Sequence, residues 1–356
     1  MKHRALRLLA CSLIAALTFA ACDILDSKSP EDRFGAAFVY LSDYQSAAIG
    51  TFDVGDSAVS VSSLSPVHTD VALRSDRGRV FVIERFGKDA IIVLDPESPG
   101  APLANYGVGT GTNPQDIVIE SLSRAYVIRL AAPDVLVINP MTGDSLDTID
   151  LSAYADADGL PEMVHAELHD GKLYVLLQLL DINAWYAPTG PGKLAVIDAA
   201  TGTVDRVVTL TIENPAEFVV DNGTVYVVGG GYGDLSSGGV DRISPGATAM
   251  RLTDGSSLNG RPSSVVMAGN RLWTVVSQDW PYGKVYGVNP QSGAVVDSLS
   301  GLVSPSSIAT DGSVLLVGDT DMEGAGIVAF DALDGTRVQD KVETPLPPRS
   351  MVFVKN

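Results

Sequence analysis

Seven segments of the chain share a repeated position, polar in six of them, where a short polar stretch runs into an apolar one. They are VHTDVAL, NPQDIVI, LPEMVHA, NPAEFVV, RPSSVVM, SPSSIAT and PPRSMVF. Because proline fixes φ and lacks an N–H, it suits the residues just ahead of a strand. In six copies the position of interest lies two residues after a proline. Its occupants along the chain are Asp70, Asp116, Met163, Glu217, Ser264, Ser307 and Ser350.

Acid–base chemistry is the first alternative that the residues suggest. His68, Glu162 and His165 lie in or beside these segments, and Arg129 ends a neighbouring apolar run. Imidazole titrates near neutral pH and could exchange protons with a substrate beside a carboxylate. The H-E-x-x-H, G-x-S-x-G and phosphate-loop motifs are absent from the sequence. We therefore assign no catalytic residue and keep these four as the set that an enzyme would use.

Calcium binding is the second alternative. DTDMEG at 319–324 alternates carboxylates as the first half of an EF-hand loop does, with Asp319, Asp321 and Glu323 as ligands. Phe330 occupies the position where that loop needs its closing bidentate Glu. DADG at 156–159 is a weaker form of the same pattern. A solvated acidic hairpin is the preferred interpretation, so no cofactor is predicted and Ca²⁺ alone is kept open.

A repeat positions these residues. An apolar run after a tight turn recurs as FVYLSD, VFVIER, AYVIRL, LYVLLQ, VYVVGG, LWTVVS and LLVGDT, with starts 42 to 52 residues apart. Hairpin turns such as NPMTG, DAATG, NPQSG and DALDG follow later in the units. Seven units of this period predict an all-β, seven-bladed β-propeller of four-stranded antiparallel blades. The first unit lacks its inner strand, and we expect PPRSMVFVKN to supply it, which closes the ring and hides both edges.

Long loops between the second and third strands would lie on the same face as the repeated polar position. Large aromatic residues normally lie in the core, so a cluster in loops indicates a binding surface for a small molecule, a glycan or a protein segment. Polar residues at the ends of the second strands would add hydrogen bonds to such a ligand. The predicted ligand-binding residues are Asp70, Asp116, Arg129, Gln178, Trp185, Tyr186, Glu217, Tyr232, Gln278, Trp280, Tyr282 and Asp319.

Composition limits the partners and the compartment. The formal net charge of −19 would repel a phosphate backbone, so nucleic-acid binding is excluded. Both cysteines lie in the first 22 residues, so the folded body has neither disulfides nor thiolate ligands. Residues 1–21 have the basic start, apolar core and small residues of a secretory signal.

The segment LTFAAC resembles a bacterial lipobox, although Phe19 stands where Leu is usual. This resemblance implies a lipid on Cys22, a tether over 22–35 and a propeller over 36–356. We therefore expect localisation in a bacterial cell envelope, anchored to a membrane and facing the periplasm or the exterior.

TVDRVVTLTIENPAEFVVDNGTVYVV resembles the YVTN-type surface propeller repeat, which includes the YncE-like periplasmic propellers. That resemblance spans nearly the whole predicted body and implies a binding or scaffold protein with its ligand over the channel mouth. Seven-bladed lactonases and streptogramin-type lyases use His, Glu and Arg near the channel, so such an enzyme is the alternative function.

Overall fold

The computed structural model of the protein describes residues 36–62 and 67–355, which form seven four-stranded antiparallel sheets. The predicted signal peptide, Cys22 and the tether lie outside the described residues. The innermost strands are β4 (Val71–Asp76), β8 (Pro114–Ser121), β12 (Met163–His169), β18 (Pro215–Asp221), β22 (Arg261–Ala268), β26 (Pro305–Thr310) and β30 (Pro348–Phe353). The second strands are β1 (Ala37–Ser42), β5 (Arg79–Glu84), β9 (Arg124–Arg129), β13 (Lys172–Leu177), β19 (Thr224–Gly229), β23 (Arg271–Ser277) and β27 (Val314–Asp319).

The third and outer strands complete each sheet. The third strands are β2 (Ala47–Phe52), β6 (Ala90–Leu94), β10 (Asp134–Ile138), β16 (Pro191–Asp198), β20 (Gly239–Ile243), β24 (Gly283–Val288) and β28 (Gly326–Asp331). The outer strands are β3 (Ser60–Val61), β7 (Ala104–Gly107), β11 (Ser145–Asp150), β17 (Val204–Glu213), β21 (Met250–Asp254), β25 (Val295–Ser298) and β29 (Arg337–Glu343). A small hairpin, β14 (Leu180–Asp181) and β15 (Ala187–Pro188), decorates the fourth sheet. Short 3₁₀ turns occupy Ser152–Tyr154, Ile182–Ala184 and Leu235–Ser237.

Blades are numbered here by their second strands, so blade 1 contains β1 and blade 7 contains β27. Blade 1 has the strand order β3-β2-β1-β30, so the last strand pairs with the first, Ala37 opposite Phe353. This confirms both the seven-bladed propeller and its predicted closure. None of the described helical turns is long enough to cross a membrane.

The core lies between blades. Seven buried apolar clusters are present among the described residues, and each joins two adjacent blades. The cluster between blades 7 and 1 includes Val39, Leu316, Met351 and Phe353. The second and third strands are buried over most of their length because they have a neighbouring blade on both faces, and the outer strands are largely exposed.

The hairpin turns that mark the repeat have the expected geometry. Their glycines adopt positive φ, a conformation that side chains disfavour. Asn139 illustrates the rest of the turn, because its Oδ1 accepts the N–H of Met141. The marker glycines are Gly143, Gly202, Gly293 and Gly335, with φ between 70° and 79°.

Candidate functional site

Inner strands begin, and second strands end, on one face of the ring, which we call the loop face. Backbone hydrogen bonds tie these two sets of residues together. The N–H of Arg85 donates to the carbonyl of Asp70 at 3.0 Å, and the N–H of Gln178 donates to that of Glu162 at 3.0 Å. The loops between second and third strands therefore surround the mouth of the central channel.

Exposed aromatic side chains are concentrated on this face. Among the described residues, every strongly exposed Phe, Tyr or Trp lies in a loop between a second and a third strand. Trp185 is 92% exposed and Trp280 is 83% exposed. Blades 1, 2, 4, 5 and 6 contribute to this set, which we call the aromatic crown. Its members are Tyr44, Phe86, Trp185, Tyr186, Tyr232, Trp280 and Tyr282.

A groove of about 720 Å³ lies beside the crown at the top of blade 6, and we call it the blade 6 groove. Tyr282, Lys284 and Arg261 line it, with Leu235 from blade 5 and Val303 from blade 7. A hydrogen bond closes the blade 6 loop that lines this groove, since the N–H of Gln278 donates to the carbonyl of Tyr282 at 2.9 Å. The Gln278 side chain also donates to the carbonyl of Asn259 at 3.1 Å.

The central channel, about 540 Å³, holds a cluster of charged side chains. His165 Nδ1 lies 3.0 Å from Asp116 Oδ2, and Arg74 approaches the same carboxylate at 3.6 Å. The ring of His165 also packs edge-on against Phe218, 4.9 Å between centroids. Its Nε2 is enclosed without a hydrogen-bond partner, 3.9 Å from the carboxylate of Glu167. The cluster thus joins side chains from blades 2, 3, 4 and 5.

Charge pairing sets the protonation of this cluster. Burial favours neutral His165, but the hydrogen bond and charge of Asp116 outweigh it and raise its pKa to about 10. Burial likewise opposes ionisation of Asp116, yet Arg74 and His165 lower the pKa of its carboxyl. Burial raises the pKa of Glu217, whose Oε2 accepts the N–H of Val265 at 3.0 Å. At neutral pH His165 is an imidazolium, which donates protons and cannot accept one.

The four residues of the enzyme alternative have separate surroundings. The ring of His68 bonds only to the backbone of Asp70. Arg129 is buried and pairs with Asp134 at 2.5 Å. Glu162 accepts the N–H of Leu180 at 2.9 Å. Of these residues only His165 lines the channel.

Two other ligand-binding candidates are engaged in holding the loop face together. Asp70 pairs with Arg85 at 2.5 Å, and Arg85 reaches on to Gln115 at 3.2 Å. Gln178 donates to the side chain of Asn214 at 3.0 Å and to the carbonyl of Pro215 at 2.8 Å. Both therefore link the strand starts of neighbouring units.

The acidic hairpin at 319–324 already contains a cation. Asp319 is fully buried, accepts the N–H groups of Val303 and Ser304, and pairs with Lys341 at 2.8 Å. Lys341 also lies 3.5 Å from Asp321, and Glu323 points to solvent. A lysine ammonium thus occupies the place that the sequence suggested for Ca²⁺.

A second acidic pattern in the sequence, DADG at 156–159, belongs to a separate cluster of three carboxylates. Asp156, Asp158 and Glu162 bring one oxygen each within 4.8 Å of one another, and they could hold a divalent cation. Asp158 Oδ2 is enclosed without a hydrogen-bond partner. Burial, with the charges of Asp158, Asp156 and Asp181, raises the pKa of Glu162 to about 8. DADG was the sequence signal for this cluster.

Several site residues were missed from the sequence. Tyr44 and Phe86 complete the crown, Arg74 and Glu167 line the channel, and Lys284 lines the groove. The channel position of blade 4 was assigned to Met163 and is in fact held by His165. Met163 pairs with Leu177 just as Pro215 pairs with Gly229, so His165 corresponds to Glu217.

No protein-family profile and no curated protein matches the chain. Solved structures share its fold. A putative 6-phosphogluconolactonase from Bacteroides fragilis, 14% identical, aligns over 92% of this chain and 99% of its own with a TM-score of 0.62. Apo AztD from Citrobacter koseri, 13% identical, aligns over 90% and 97% with a TM-score of 0.52. BamB from Moraxella catarrhalis, 16% identical, aligns over 79% and 81% with a TM-score of 0.51. Identities this low carry the fold alone, and the chain is a seven-bladed β-propeller.

Proposed function

We propose that the protein is a binding protein of a bacterial cell envelope, anchored by a lipid on Cys22, that holds its ligand against the loop face. The aromatic crown carries this proposal. A folded monomer gains nothing from exposing seven large rings on one face, whereas such rings supply contact area to a ligand. The lipoprotein leader and the YVTN-type repeat, both predicted from sequence, belong to the same proposal.

The blade 6 groove is the place where we expect the ligand to be held. Its volume of about 720 Å³ falls in the range of small-ligand sites, roughly 300–1,000 Å³. Tyr282 lines it, Trp280 is exposed two residues earlier in the same loop, and Gln278 and Arg261 offer hydrogen bonds. Tyr232 of blade 5 lies in the next loop of the crown, so a ligand longer than the groove would meet further rings.

An enzyme acting in the channel is the second candidate, supported by the contact of His165 with Asp116. The putative 6-phosphogluconolactonase and a dihydro-heme d1 dehydrogenase, NirN, share the fold, the latter with a TM-score of 0.56. The protonation of His165 favours binding, because a general base must be neutral before it can accept a proton.

Tryptophan fluorescence tests the binding proposal. Trp185 and Trp280 are exposed on the loop face and Trp273 is fully buried, so a bound ligand changes the emission of the first two. We expect one or more of a panel of oligosaccharides and envelope peptides to bind, and Tyr282→Ala to weaken that binding about tenfold, the equivalent of about 1.4 kcal/mol. Leu122→Ala is the matched control, an exposed apolar residue in a turn on the opposite face.

Two results would contradict the proposal. One is a Tyr282→Ala variant that binds as tightly as the parent. The other is hydrolysis of a lactone that disappears in His165→Asn, which would put the enzyme in place of the binding protein.

A further inference from the structure

Two cations line the blade 6 groove, Arg261 and Lys284, and neither forms a close ion pair with a carboxylate of the described residues. Arg74, Arg85, Arg129, Lys172, Arg251 and Lys341 each pair with a carboxylate. Within the described residues, neither Arg261 nor Lys284 has a carboxylate oxygen within 4.0 Å. The chain has 43 acidic residues against 24 basic ones, so a groove lined by more cations than acids differs from the charge of the molecule as a whole.

Arg261 is held in place without being neutralised. Its guanidinium donates to the carbonyls of Gly230 and Gly233, both at 2.7 Å. These neutral acceptors fix the side chain against the blade 5 loop without a close ion pair. Hydrogen bonds from Ser236 and, more weakly, the charge of Arg261 lower the pKa of Asp234 in that loop. Asp234 in the same loop is exposed and caps the N–H of Ser236 at 3.0 Å. Arg261 is therefore a preorganised cation at the groove wall.

Lys284 supplies the second positive charge that lines the groove. It is exposed at the start of β24, two residues after Tyr282. Asp279 is the acidic residue that lines the same groove, so the cations outnumber the acids there by two to one. A ligand with a carboxylate would gain ion pairing from this arrangement, and a guanidinium forms its strongest hydrogen bonds with such a group.

Aromatic and amide groups define the rest of the ligand. Tyr282 lines the groove and is 60% exposed, and Trp280, two residues earlier in the same loop, is 83% exposed. An exposed aromatic ring suits the apolar face of a pyranose ring. Ser277 and Gln278 add hydroxyl and amide groups for sugar hydroxyls. We propose that the blade 6 groove binds a carboxylate-bearing saccharide, with its ring on Tyr282 and its carboxylate paired with the cations Arg261 and Lys284 that line the groove. This inference rests on the proposed function and specifies its ligand class.

Three saccharides of similar size test the inference on the full-length protein: trigalacturonate, its methyl ester and neutral galactotriose. We expect trigalacturonate to bind at least fivefold more tightly than the other two, by calorimetry and by Trp fluorescence. Added salt should weaken the acidic ligand most, because salt screens charge pairs at exposed sites.

Protein variants give the second arm. Lys284→Glu should weaken trigalacturonate binding about tenfold and leave galactotriose unchanged. Lys88→Glu makes the same charge change on the exposed blade 2 loop of the same face, and we expect it to have no effect. Thermal melting would verify that both exposed substitutions leave the fold intact.

The outcomes separate the two proposals. Equal affinities for the acid and its methyl ester, or no effect of Lys284→Glu, overturn the anionic ligand and leave the binding function standing. If none of the three saccharides binds, the proposal of a carboxylate-bearing saccharide is also overturned. The proposed function falls if Tyr282→Ala leaves the affinity for every ligand of the wider panel unchanged, or if the protein hydrolyses a lactone and His165→Asn abolishes that activity.

Discussion

His165 shows how neighbouring side chains decide the chemistry of a single residue. Its Nδ1 is 3.0 Å from Asp116 Oδ2, and Arg74 lies 3.6 Å from the same oxygen. An isolated buried imidazole would be neutral, but this one lies beside a carboxylate that stays ionised. Such a residue contributes to stability through its charge, and that contribution depends on pH.

We predict that the protein loses stability as pH rises from about 6.5, the usual pKa of His, through about 10, the pKa of folded His165. The folded state binds the proton more tightly than the unfolded state, so the stabilisation is fully present below the lower value and lost above the upper one. His165→Asn should flatten this part of the profile. Urea denaturation midpoints between pH 6 and roughly 10.5 would measure the difference. Parallel profiles for parent and variant would contradict it.

At the scale of elements, most of the inner strands share a β-bulge near their start, a feature that the sequence only partly indicated. Six of the seven have a β-bulge at their start, after which a side chain faces the channel. In three blades a channel-facing side chain accepts a backbone N–H from the next blade: Asp116 from Ala166, Glu217 from Val265 and Ser350 from Leu73. In blade 2 the position that the sequence assigned to Asp70 is held by Ala72, which lies opposite Ile83 as Asp116 lies opposite Ile128. The sequence revealed the repeat through its prolines. It misplaced blade 4 because Pro161 lies ahead of the bulge and Met163 takes the position of the strand proline.

A buried ion pair fixes the long outer strand of blade 4 to blade 5. Asp241 is completely buried, accepts from the N–H and hydroxyl of Thr211, and pairs with Arg251 at 3.1 Å. Arg251 also donates to the carbonyls of Ser236 and Gly238, which belong to the loop beside the blade 6 groove.

We predict that Asp241→Asn lowers the free energy of unfolding by about 3 kcal/mol, because it breaks the ion pair and leaves a single buried amide oxygen to accept from both Thr211 and Arg251. Asp205→Asn is the matched control. It removes the same charge from a surface ion pair with Lys172, in which the Asp205 side chain is 42% exposed. This substitution should lower the free energy of unfolding by at most about 1 kcal/mol. Chemical denaturation of both variants measures the difference. Equal losses would show that the buried pair carries no special role.

At the scale of the whole molecule, the propeller was predictable and the site was not. The period of the units and the missing inner strand of blade 1 led directly to the closed ring, since each unit must bury both faces against its neighbours. The channel cluster combines Arg74, Asp116, His165 and Glu217 from four blades, and no spacing along one strand reveals such neighbours. The crown was partly predictable because Trp185 and Trp280 stand in long loops. Lys284 gave no signal, since only its missing acidic partner distinguishes it.

The strand β30 closes the ring, so a substitution in it should affect the stability of the whole propeller. Phe353 of β30 pairs with Ala37 and packs in the cluster between blades 7 and 1. We predict that Phe353→Ala costs about 3 kcal/mol of unfolding free energy by emptying this cluster. Val338→Ala on the exposed outer strand of blade 7 should cost less than about 0.5 kcal/mol.

Removing β30 altogether should have a larger effect than either point change, because it bares the edge of β1 and opens the ring. We expect the protein truncated after residue 347 to associate, with a higher apparent mass in size-exclusion chromatography than the parent. Urea midpoints of the two point variants and the elution of the truncated form measure closure independently. A monomeric truncated protein as stable as the parent would mean that six blades and an incomplete seventh hold the ring without the last strand.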